Sequence, residues 1–170
     1  MANNRPPRDL NSLLNEIKSS TDFDRIHWGK QFREYLKTAN KRDTETILDF
    51  VILAYVLMRK GEEIKTSNWK AEDLNEERRR LLKHIFEQYF DEDSKSPIAL
   101  SNPVLREELN ESLANLSESS GHSDIEEAYD LVWQARCDYK VWKAGVDRAY
   151  NLFLATKPSP TLTAVLMSIM

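Results

Sequence analysis

Apolar side chains crowd one stretch of this chain more densely than any other. Between Ile47 and Met58 only Asp49 interrupts a run of Ile, Leu, Phe, Val, Ala, Tyr and Met. The run is too short for a bilayer-spanning helix, which needs roughly 20 apolar residues. Asp43 reads as the N-cap, Glu45 sits in the first turn, Arg59 and Lys60 in the last, and Gly61 follows as the terminating C′ residue. A helix that is apolar nearly all round must be wrapped by other helices. The pattern therefore predicts a fold organised around one buried central helix.

The helical period recurs on both sides of it. Leu10, Leu13, Leu14 and Ile17 share one face of a short first helix. Thr21-x-x-Asp24 resembles a capping box, with Asp in place of the usual Glu or Gln. It opens a segment whose apolar positions are Phe23, Ile26, Trp28, Phe32, Tyr35 and Leu36. The polar stretch from Glu62 to Asn75 reads as a loop, with Trp69 as a candidate surface anchor. From Glu76 the period is clearest, in Leu81, Leu82, Ile85, Phe86, Tyr89 and Phe90. Asn102-Pro103 marks another helix start, followed by Val104, Leu105, Leu109, Leu113 and Leu116. Ser123-x-x-Glu126 is a full capping box ahead of Ile125, Ala128, Tyr129, Val132 and Trp133. A last helix carries Trp142, Val146, Ala149, Tyr150, Phe153 and Leu154, and Pro158 and Pro160 forbid its continuation. No strand alternation appears, so the expected fold is all-α, with about eight or nine helices. Residues 10–157 read as one domain, 1–9 as an N-terminal tail, and 158–170 as a C-terminal tail or the start of a linker.

Composition narrows the function. At 170 residues one domain can bury a real core, and a formal net charge of -4 argues against a nucleic-acid surface or a polybasic membrane anchor. Cys137 is alone, which fits a reducing cytosol, and residues 1–20 lack the apolar core of a secretory signal. A cytoplasmic protein without an integral membrane segment is expected.

Catalytic chemistry is not found. His27, His84 and His122 lie in three different elements with no ligand-type partner four residues away, so neither a metal site nor a cofactor is expected. Glu62–Glu63, Glu76–Glu77 and Glu107–Glu108 are sequence neighbours that point about 100° apart on a helix, which suits solvated faces. Cys137 has no neighbouring His to activate it and reads as a small core residue. The cluster Arg78, Arg79, Arg80 and Lys83 admits two readings: an exposed face balanced by Glu76 and Glu77, or a basic rim for an acidic peptide.

The order of these segments resembles the RGS homology domain, the regulator of G-protein signalling fold. The family's F-R-x-[FY]-L-K-T stretch appears as Phe32-Arg33-Glu34-Tyr35-Leu36-Lys37-Thr38. The long apolar helix follows, then ERRRLLKHIFEQYF, then a loop leading into PVLREELNESLANL with its R-E-x-[IL] pattern, and then IEEAYDLVWQARCDY. The resemblance covers roughly residues 10 to 155 and implies a bundle that binds protein partners without catalytic side chains of its own. GTPase-activating members hold the switch regions of a Gα subunit through a Glu-Asn pair, a loop Asn, and Asp and Arg residues opening the last helices. Here the Glu-Asn pair falls on Thr46-Ile47. The loop Asn falls on Ala99, unless Asn102 shifts to replace it. Lys143 keeps a positive charge where an Arg is expected but loses the bidentate fork.

Among non-activating relatives the axin type is the most similar. Its L-L-D-F stretch is matched by Ile47-Leu48-Asp49-Phe50, its R-K by Arg59-Lys60, and its N-E-E-[KR]-R by Asn75-Glu76-Glu77-Arg78-Arg79. Such domains bind a helical motif of the adenomatous polyposis coli protein, within the complex that marks β-catenin for destruction in Wnt signalling. The resemblance implies a partner-peptide groove, whose rim is expected at Arg59, Lys60, Arg78, Arg79 and Lys83. The alternative is a GTPase activator that meets Gα through Thr46, Ile47, Ala99, Asn102 and Lys143.

Overall fold

The computed structural model describes residues 5–18, 23–66 and 71–156. Seven α-helices run in the order α1 Leu10–Leu14, α2 His27–Thr38, α3 Arg42–Thr66, α4 Ala71–Ile85, α5 Pro103–Ala114, α6 His122–Arg136 and α7 Arg148–Thr156. A 3₁₀ turn at Phe23–Arg25 precedes α2. A π-helical turn at Phe86–Phe90 extends α4, and another at Trp142–Asp147 leads into α7. The described residues contain no strand, so the chain is all-α. No helix among them is long and apolar enough to cross a membrane.

The central helix is α3. Leu48, Phe50, Val51, Ala54, Tyr55 and Leu57 are buried, and Ile47, Ile52, Leu53, Val56 and Met58 pack partly buried against the same core. It lies against α2, α4, α6 and the 142–147 turn. Asp49, the one polar interruption, meets Arg33 Nη2 at 2.7 Å, and the same guanidinium reaches Asp24 at 2.6 Å through Nε. Phe32 and Leu36 on either side of Arg33 are buried. The F-R-x-Y-L segment thus joins α2 to α3 by apolar packing on one face and ion pairing on the other.

Several expected boundaries move. Asp43 is not the N-cap of α3: the helix begins at Arg42, leaving Asp43 and Glu45 in the first turn, where carboxylates suit the helix dipole. Gly61 does not end the helix, which continues to Thr66. The Glu62–Asn75 loop is correspondingly short, since α4 begins at Ala71. The reason lies in packing. A Cβ built on Gly61 would stand 3.5 Å from Arg78 Nη2, so the glycine lies in the α3 face that receives the Arg78 guanidinium. The cap of α6 is Gly121 rather than Ser123, and its N–H donates to Asp124 Oδ2 at 3.3 Å. Asn102-Pro103 starts α5 as expected, with Asn102 Oδ1 accepting from the N–H groups of Val104 and Leu105. Thr21, Trp69, Pro158 and Pro160 lie outside the described residues.

The N-terminal segment is tied down along its length. Asp9 Oδ1 accepts from Ser12 N at 2.8 Å and caps α1. The Tyr150 hydroxyl donates to the Pro7 carbonyl at 2.7 Å. Arg59 donates to the carbonyls of Ile17 (2.8 Å) and Asn15 (2.6 Å), holding the exit of α1 against α3.

Gly61→Ala should stabilise the fold by about 0.5–1 kcal/mol, because glycine is a poor helix interior residue and the added methyl meets Arg78 at ordinary contact distance. Urea denaturation reads this directly. A loss of stability would show that the Arg78 guanidinium needs the space left by the missing side chain.

Candidate functional site

The five cations expected to rim a peptide groove do not form one. Arg59 faces α1, as described, and its remaining nitrogen Nη1 meets Glu62 at 3.0 Å. Lys60 Nζ meets Glu77 at 2.7 Å, with its side chain only 13% exposed. Arg79 Nη2 donates to the Ser120 carbonyl at 3.0 Å, anchoring the loop between α5 and α6. Arg78 corrects the expectation most sharply: it is 0% exposed and belongs to the core. Its Nη1 meets Glu126 Oε1 at 2.7 Å and donates to Asn75 Oδ1 at 3.2 Å, and its guanidinium lies 5.4 Å from the centre of the Tyr129 ring. Burial pushes the Tyr129 phenol up to about 12 against the opposing charge of Arg78. Lys83 alone of the five is exposed without an ion pair among the described residues. The neighbouring Arg80 is exposed and pairs with Glu76 at 2.8 Å, one helical turn away, as a solvated face would.

Three of the five positions aligned with a Gα-facing surface come together. Thr46, Ile47 and Ala99 line one cleft of about 700 Å³, with Arg42 and Asp43 from the start of α3, Lys95, Ser96, Pro97 and Ile98 from the loop before α5, and Lys140 from the turn after α6. The Thr46 hydroxyl donates to the Arg42 carbonyl at 3.1 Å, within its own helix. Ile47 packs over Gly145, where any Cβ would stand 3.4 Å from its Cγ2 and 2.8 Å from the Lys140 carbonyl. Asn102 does not take the place of Ala99, since its side chain is engaged as the α5 cap. Lys143 is exposed on the 142–147 turn and does not line the cleft.

The loop wall of the cleft is fixed at three points. Ile98 is buried, and its N–H donates to the Tyr89 carbonyl at 3.0 Å. Arg106, the Arg of the R-E-x-L pattern, donates to the Ile98 carbonyl at 2.6 Å. Asp138 accepts from Ser101 N (2.9 Å), Ser101 Oγ (2.8 Å), Asn102 N (3.2 Å) and Lys140 N (3.0 Å), clamping the loop to the turn after α6. Asp138 carries no local signature that singles it out, because Ser101 and Asn102 lie in a distant segment.

Arg136 is enclosed by aromatic rings. Its guanidinium lies 3.9 Å from the Trp133 ring centre, 5.3 Å from Tyr55 and 5.5 Å from Trp142, and it donates to the Tyr55 hydroxyl at 3.2 Å. This cation–π box joins α3, α6 and the 142–147 turn. Cys137, expected in the core, is exposed and accepts from Arg136 Nη2 at 3.0 Å. No group of His, Cys, Asp or Glu among the described residues could hold a metal ion. Against known proteins, no family model, no curated protein and no solved structure matches this chain.

Two stability tests follow from these contacts. Glu126→Ala should cost roughly 3 kcal/mol, because it strands a buried guanidinium. Arg78→Met should cost under about 1 kcal/mol: Glu126 is 35% exposed and water can receive it, while Nε and Nη2 of Arg78 have no hydrogen-bond acceptor among the described residues. Paired denaturation curves would contradict this if Arg78→Met proved the costlier change. The second test concerns Asp138. Burial raises its carboxyl, but hydrogen bonds from Ser101, Lys140 and Asn102 outweigh that and leave it below its ordinary 3.8. The folded value is the lower one, so this stabilisation is complete above the ordinary value and is lost as pH falls through the folded one. Asp138→Asn should therefore flatten the decline in unfolding free energy between about pH 5 and 3. An unchanged slope would show that the clamp holds equally well with a protonated carboxyl.

Proposed function

We propose that this chain is a non-catalytic protein-binding domain of RGS type, resembling the axin scaffold domain rather than the GTPase-activating members. One observation carries the reading. The cleft that gathers the aligned Gα-facing positions offers a threonine hydroxyl bonded within its own helix, an isoleucine and a methyl group at those points. No amide or carboxylate stands at the three to orient a Gln or Thr of Gα, and Asn102 is committed to its cap. Such a surface is suited to adhesion and lacks the polar grip that would hold a transition-state conformation. The meeting of Thr46-Ile47 on α3 with Ala99 of the 95–99 loop supports an RGS-like arrangement of helices. A partner of the polyposis-coli type remains part of this reading, but Arg59, Lys60, Arg78 and Arg79 are engaged internally and do not form its groove.

Single-turnover GTP hydrolysis by a panel of Gα subunits tests the proposal. The rate with saturating domain should stay within about twofold of the intrinsic rate, whereas an activator working through switch stabilisation would give large acceleration. A tenfold or greater rise on any subunit would replace the scaffold reading with GTPase activation. Fluorescence anisotropy with a labelled polyposis-coli motif peptide asks in parallel whether the axin-type partner is held.

A further inference from the structure

Three exposed cations gather at the cleft between the start of α3, the 95–99 loop and the turn after α6. Arg42, Lys95 and Lys140 are exposed, and none forms an ion pair among the described residues. One carboxylate, Asp43, lines the cleft beside them. A shallower cleft continues along Asn40–Thr44 and adds Lys41. Asp138 forms no ion pair with these cations; its buried carboxylate accepts instead from Ser101, Asn102 and the Lys140 backbone. Beside the charges run Ile47, Pro97, Ile98 and Ala99, an apolar strip with Ile98 buried and held through its backbone by Tyr89 and Arg106. The chain as a whole has the opposite balance, 24 Lys and Arg against 28 Asp and Glu. Part of the acid surplus gathers in a separate cleft between α5 and α6, lined by Glu108, Glu111, Asp124 and Glu127 and by no cation.

From this charge separation we infer that the α3/95–99 cleft docks an acidic segment of a partner protein, one that seats an aliphatic or aromatic side chain on the Ile47–Pro97–Ala99 strip while its carboxylates meet Arg42, Lys95 and Lys140. The inference rests on the protein-binding reading above and names the partner's chemistry and place. The acidic α5–α6 cleft repels the same segment, so the charge pattern selects one face of the domain over the other. A wall held by Arg106 and Asp138 before binding leaves little loop to order on docking.

The test is selection of displayed random peptides of about 12 residues on the full chain, with counter-selection on the triple variant R42E/K95E/K140E. All three side chains are exposed, and circular dichroism melting is the check that the variant is folded. Enriched peptides should carry net negative charge with at least one large apolar residue. Labelled copies should bind by anisotropy at least about tenfold more weakly to the triple variant, and more weakly as salt rises from about 0.05 to 0.3 M. They should bind the control R80E/K83E, whose changes lie outside the cleft, as they bind the native chain.

Enriched peptides that are neutral or basic, or indifferent to the triple variant, overturn the placement while leaving a protein-binding domain intact. Recovery of no peptide overturns the inference, and Gα turnover then decides the functional reading separately. Binding to phosphatidylserine vesicles abolished by the same variant, without acidic peptides, would make the cleft a membrane contact and overturn the inference. So would concentration-dependent self-association in sedimentation that the variant abolishes.

Discussion

The guanidinium of Arg78, sealed between α3, α4 and α6, sets a packing constraint that all three helices meet. A charge in a helical core is tolerated only where every neighbouring element is shaped to receive it. Gly61 supplies a face of α3 without a side chain, Glu126 of α6 supplies the counter-charge, and Tyr129 supplies a ring. The guanidinium thus meets α3 at Gly61 and ties α4 to α6 through Glu126, while Arg79 and Arg80 face a loop and the solvent. Arg59 plays the parallel role toward α1, and Arg136 toward the 142–147 turn. Three of the chain's arginines are thus used as internal fasteners.

Much of this architecture was legible in the chain. The density of apolar residues from Ile47 to Met58 predicts a wrapped central helix, and α3 is that helix because no other burial satisfies such a surface. Asn102-Pro103 predicts the start of α5, since both side chains favour a helix opening and both are local signals. Gly61 misled for a physical reason: a glycine ends a helix by taking a positive φ, and Gly61 does not take one. Ser123 misled because a cap two residues earlier leaves the serine inside the first turn.

The candidate site was less legible. A run such as Arg78-Arg79-Arg80 announces charge but not direction: successive residues on a helix point about 100° apart, so one faces the core, one a loop and one the solvent. The cleft at the start of α3 has the opposite character. Its cations come from three separate segments, at Arg42, Lys95 and Lys140, and only the fold gathers them. The resemblance placed Thr46, Ile47 and Ala99 on one face, and the structure brings these three together while leaving Lys143 apart.

Arginine side-chain NMR reads the central claim without any partner. With Arg78 enclosed, its Nε–H should exchange with water far more slowly than that of Arg80, persisting at neutral pH where the exposed arginine's signal is broadened away. An Arg78 signal that exchanges as fast as Arg80's would place the guanidinium in solvent and return it to the surface cluster. It would also remove the reason for seeking the docking face at the other end of α3.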